Sequence, residues 1–240
     1  MEQKVQSQGV YVKERAAERL LELNMPPEIL TQTVTTIVMN RANADEYCPI
    51  QAPGMMGWIG GVRTFRLGLV NIGYTLSNKK GFSSVVSPDG RLEFFIMSTG
   101  KGTGRADGVS PKSKAPRGIQ TVRRVEENQL SFPLDVLMAG NVNTVEAVTR
   151  EHWCFMYYIT KNVMYSEFSK PLAVDDKGYV SEWAERIILD PIQIASETIE
   201  VGELEESNVH MDVPVTAKDD KNEGLQTGAV NFSERTAGAN

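Results

Sequence analysis

Two apolar runs and the turn between them constrain the fold more than anything else in this chain. In "GFSSVVSPDGRLEFFIMSTG", the stretches Phe82 to Val86 and Leu92 to Met97 flank Ser87-Pro88-Asp89-Gly90. Pro presets φ for a turn and Gly accepts positive φ, so the segment predicts a β-hairpin. Ahead of it, "VKERAAERLLEL" places Val12, Ala16, Leu20 and Leu23 at helical spacing with charges between them. A second helix is expected from Pro26-Pro27, with Glu28 in its first turn and Leu30, Val34, Ile37 and Val38 on one side. The β-branched residues of that run weaken the expectation.

The segment "CPIQAPGMMGWIGGVRTF" carries two prolines and four glycines, which argues against a long regular element. "RTFRLGLVNIGYTL" fits a short helix or a strand. "IQTVRRV" reads as a strand, and "SFPLDVLMAG" as a turn leading into a short apolar element. "HWCFMYYITKNVMYSEFS" and "GYVSEWAERIILDP" are rich in aromatic and branched residues and predict strands, joined by a turn at Asp175, Asp176 and Gly178. A helix through "SEWAERII", capped by Ser181, is the alternative for the last of these. Hairpins and late strands without long helical crossovers argue against repeated βαβ units. The expected class is α+β: amino-terminal helices on a mainly antiparallel sheet. One domain is expected over residues 1–202, with an acidic, flexible tail over 203–240, whose composition cannot offset the entropy of ordering.

Charge is strongly sorted along the chain. Residues 58 to 124 hold twelve basic and three acidic side chains, whereas residues 196 to 240 hold three basic and ten acidic ones. Within "STGKGTGRADGVSPKSKAPRGIQTVRR", Lys101, Arg105, Lys112, Lys114, Arg117, Arg123 and Arg124 face the single acid Asp107. The glycines do not make a nucleotide loop. GxxxxGK[ST] is absent, and Gly100, Gly102 and Gly104 put the third glycine of GxGxxG one position early. No cofactor is implied. A loop of this charge suits the phosphate backbone of DNA or RNA through counterion release, with Lys79 and Lys80 as neighbours. Phe82, Phe94 and Phe95 are candidates for base stacking, although strand packing is their simpler role. An acidic protein partner, or the chain's own acidic tail, is the other anion such a segment would attract.

Trp58, Trp153 and Tyr157 are candidate interface residues for a protein-interaction module. Hydrolytic chemistry has thinner support. His152 and Cys154 share a strand face but form no zinc signature, and His210 falls in the tail. A metal-dependent nuclease assembled from Asp89, Glu93 and Lys101 is a third reading. Two cysteines cannot build a disulfide framework, and no apolar run approaches the roughly 18 residues that span a bilayer. The expectation is therefore a cytoplasmic protein with no membrane partner.

Overall fold

The computed structural model describes residues 9–107, 109–138 and 150–194; the expected acidic tail and His210 lie outside these. α1 (Glu14–Glu22) buries Ala16 and Leu20, as its spacing predicts, and Asn24 closes it at φ 50°. α2 (Pro27–Ala42) starts on its proline with Glu28 in the first turn and buries Ile29, Leu30, Thr33, Val34 and Ile37. Its threonines are not a liability. The hydroxyls of Thr31, Thr33 and Thr35 donate to the carbonyls of Pro27, Ile29 and Thr31, four residues back.

α3 (Ala52–Val70) corrects the expectation of irregular structure over the glycine-rich segment. Its glycines are contact points for α2, which runs antiparallel to it. A Cβ at Gly57 would lie 2.7 Å from Cγ of Arg41, one at Gly60 2.5 Å from Nδ2 of Asn40, and one at Gly61 2.5 Å from Cγ1 of Ile37. Each glycine costs the helix about 1 kcal/mol in propensity. In exchange, the two backbones approach closely. Pro53 sits in the first turn, where its missing N–H removes no helical hydrogen bond.

The remaining elements are β1 (Gly9–Tyr11), β2 (Thr75–Ser77), β3 (Ser84–Val86), β4 (Leu92–Ser98), α4 (Ile119–Met138), β5 (Glu151–Ile159), β6 (Val163–Val174), β7 (Val180–Ile188) and β8 (Ile192–Gln193). They form one sheet in the order β1-β7-β6-β5-β4-β3-β2, with β8 beside the start of β6. Five of the seven pairings are antiparallel, which makes the class α+β with a mixed sheet. The β3–β4 hairpin forms where its turn predicts, with Val85 opposite Phe94. β7 is a strand paired on both sides, so the helix alternative over "SEWAERII" falls.

One further correction concerns residues 119–138. They form α4, which carries the chain from β4 to β5 so that these strands run parallel, a single βαβ crossover the sequence did not suggest. Side-chain alternation divides the core in two. Phe94, Ile96, Trp153, Phe155, Phe168 and Ile187 pack with α1, α2 and α3. Phe95, Met97, Cys154, Met156, Val180 and Trp183 pack on the other face with Val125 of α4.

A candidate polyanion interface on the basic segment

The basic segment leaves β4 at Ser98 and is docked on the sheet before it enters α4. Its anchor is a buried ion pair between strands. Arg186 of β7 grips Glu167 of β6 with two nitrogens, Nε to Oε1 at 3.0 Å and Nη2 to Oε2 at 2.6 Å, and Glu167 is fully buried. The Gly104 amide donates to Oε2 of Glu167 at 2.9 Å, while Nη2 of Arg186 donates to the carbonyls of Gly102 and Arg105. The amide that a phosphate loop would aim at a nucleotide is aimed here at a protein carboxylate. The glycines allow this approach: at Gly102 (φ 101°) a Cβ would lie 2.6 Å from the Val109 carbonyl oxygen, and at Gly104 (φ 69°) 2.9 Å from Cβ of Tyr165. Farther on, Ser113 N donates to Val180 O, Arg117 N to Gly178 O, and the Trp183 indole to Pro111 O.

Docking sorts the seven predicted cations. Lys101 is exposed on the turn, as is Arg105, whose guanidinium sits 5.8 Å over the Tyr165 ring. Lys112 is exposed but pairs with Asp175 at 2.7 Å, a contact that raises its pKa. Arg123 is exposed on α4. Arg124 does not belong with them. It is 7% exposed, donates to Oε1 of Glu93 at 2.7 Å and lies 3.8 Å over the Phe82 ring, so it cannot reach a phosphate.

Lys114 and Arg117 converge with a residue that sequence reasoning missed. The Lys114 amide and the Arg117 guanidinium both donate to the carbonyl of Ser98, at 3.2 and 2.8 Å, and Ser98 is in register with Tyr157 of β5. From the other side of the sheet comes Arg41, in the last turn of α2, its stem packed over Gly57. Partial burial and then the charge of Arg41 lower the Lys114 pKa, and burial likewise lowers that of Arg41. Burial pushes the Tyr157 hydroxyl up to about 12, against the pull of Arg41 and Arg117. Arg41 and Arg117 thus both act on Tyr157, and Arg41 on Lys114, near the carboxyl ends of the parallel strands β4 and β5, and each of the three cations also has partners within the fold. Nothing in the sequence links Arg41 to the basic segment; only the crossing of α2 over the strand ends does.

The other candidate residues take structural places. Trp153 is fully buried, stacked on Phe168 at 5.6 Å, and Tyr157 is 6% exposed; both are core residues, which corrects their assignment to an interface. Trp58 is exposed on α3. Asp89 caps its own turn, accepting from Ser87 Oγ and the Arg91 amide, while Lys101 lies beyond the opposite end of β4, roughly 20 Å of strand away. Between them Glu93 is 2% exposed and held by Ser84 Oγ at 2.5 Å, Arg124 at 2.7 Å and Nδ1 of His152 at 3.0 Å. Asp89, Glu93 and Lys101 therefore do not converge, and the nuclease reading loses its geometry.

His152 is wedged between Glu93 and Glu127, 2.7 Å from the latter, while its backbone is clamped by Asn128. Burial holds the Cys154 thiol well above its ordinary value, which removes the thiolate that nucleophilic chemistry needs. Among the described residues, no helix is long and apolar enough to cross a membrane. Comparison with protein-family models, curated proteins and solved structures finds no match for this chain, so its function must be argued from this geometry.

Proposed function

We propose that this protein is a noncatalytic binding protein that takes a nucleic-acid phosphate backbone on the cationic rim at the carboxyl ends of β4 and β5. The observation that carries this reading is that the Lys114 amide and the Arg117 guanidinium are tied to the Ser98 carbonyl, opposite Tyr157, while Arg41 from α2 acts on the same Tyr157. Positive side chains brought together from two elements at one edge raise the local attraction for a polyanion. Lys101 and Arg105, exposed on the adjoining turn, extend the rim. The mode is backbone contact without base reading, because Phe94 and Phe95 are buried and Phe82 is covered by Arg124.

Fluorescence anisotropy with short single-stranded and duplex oligonucleotides tests the proposal. Binding in the range of about 10⁻⁴ to 10⁻⁶ M at physiological salt is expected. Arg41→Gln and Lys114→Gln should each weaken it, whereas Arg91→Gln, at the far end of β4, should not. Absence of binding at low salt, or equal loss from all three substitutions, refutes the reading.

A further inference from the structure

The outer face of α3 is a surface in need of a partner. Its inner side is spent on α2 and the sheet through Gly57, Gly60, Gly61, Phe65 and Leu69. The outward strip carries Met55, Ile59 and Val70, exposed at 39, 54 and 36%, and Trp58 and Leu67, at 36 and 49%, flank it on opposite sides. Single exposed apolar side chains are ordinary, but a row of them along a helix about 28 Å long is not.

Charge narrows the choice of partner. Residues 47 to 88 contain no Asp or Glu, and the four charges in that stretch are Arg63, Arg66, Lys79 and Lys80. Arg63 is exposed between the apolar positions, and Arg66 reaches Asn78 and the carbonyl of Ser77 at the base of the turn that carries the two lysines. A partner must therefore accept apolar side chains and offer negative charge together. Shape narrows it further. The outer arc of one helix is convex, and the groove near this region, bounded by Leu21, Met25, Tyr74, Pro88 and Leu92, contains none of the five exposed residues of α3. A partner protein would have to supply a matching groove. A lipid surface imposes no such demand.

We infer that α3 is a peripheral docking helix that lies in the plane of an anionic phospholipid bilayer. Met55, Trp58, Ile59 and Val70 enter the headgroup–acyl boundary, while Arg63 lays its stem along the apolar face and its guanidinium among the phosphates. The helix rests on the membrane and does not cross it. This inference uses residues separate from the cationic rim and stands or falls independently of it.

Vesicle flotation of the full chain, read together with tryptophan emission, tests it. The chain has three tryptophans, and Trp153 and Trp183 are 0% and 3% exposed, so a blue shift on adding vesicles reports Trp58. Vesicles of phosphatidylcholine with phosphatidylglycerol should float the protein and blue-shift its emission; phosphatidylcholine alone should do neither. Ile59→Ser should lower partitioning about tenfold, the fold-change that corresponds to one aliphatic side chain no longer buried. Arg63→Glu should lower it as well, with circular dichroism and Tm unchanged in both variants. Several results overturn the inference: no flotation with anionic vesicles at low salt, flotation unaffected by Ile59→Ser, or flotation abolished by Arg41→Gln and Lys114→Gln instead. Self-association that Ile59→Ser removes, without vesicle binding, also overturns it and gives the face to a second copy.

Discussion

Replacing Glu93 by Gln tests the buried polar network that ties α4 to the sheet. Burial alone would raise the Glu93 pKa, but contacts from His152, Arg124 and Ser84 outweigh it and bring the carboxyl from 4.5 down to about 2. At 1.36 kcal/mol per pH unit, that shift corresponds to about 3 kcal/mol of stability at pH 7. The loss in Glu93→Gln should be of that order, because the substitution also leaves the Arg124 guanidinium buried without its carboxylate. The pH dependence has a definite sign. A carboxylate whose folded pKa is depressed stabilises fully above its unfolded pKa, here 4.5, and loses that contribution as pH falls toward 2. Between pH 7 and about 3.5 the gap between wild type and variant should narrow by about 1.4 kcal/mol. Urea unfolding of both proteins across that range measures it. The double variant Glu93→Gln/Arg124→Met should be less damaged than the single one. A gap under about 1 kcal/mol at pH 7, or one that does not narrow on acidification, would refute the argument.

Other consequences can be checked with equally simple measurements. Gly102→Ala puts a Cβ against the Val109 carbonyl at positive φ, so it should destabilise the fold by more than about 1 kcal/mol in urea unfolding. Lys112→Ala removes an ion pair made by an exposed lysine and should leave the urea midpoint nearly unchanged. With a chromogenic thiol reagent, half-buried Cys48 should react in the native protein, and Cys154 only when the protein unfolds.

Much of the fold was legible from local chemistry. The β3–β4 hairpin follows from Pro88-Asp89-Gly90 between apolar runs, and α1 and α2 follow from helical spacing and the proline start. α3 was not legible because a glycine reads as a breaker until its neighbour is known; Arg41, Asn40 and Ile37 of α2 give Gly57, Gly60 and Gly61 their role. α4 was missed for a different reason. Among its described side chains the inward ones are Thr121, Arg124, Val125 and Asn128, at helical spacing but mostly polar, with partners that include Glu93, the His152 carbonyl and the Pro171 carbonyl. An apolar-periodicity argument does not count such residues as core. The same blindness affected the candidate site. Seven cations looked equivalent in sequence, yet Arg124 pairs inside the core, Lys112 pairs at the surface, and Lys114 feels the charge of Arg41 from a distant helix.

The central claim, that the rim formed by Arg41, Lys114 and Arg117 binds a phosphate backbone, is tested most directly by the salt dependence of oligonucleotide affinity. Each neutralised phosphate contributes about 0.7 to the slope of log K against log salt for single strands and about 0.9 for duplex. The account predicts that Arg41→Gln/Lys114→Gln flattens the slope by roughly 1.4 on single strands or 1.8 on duplex, with the Arg91→Gln control unchanged. A slope equal in wild type and double variant would contradict it.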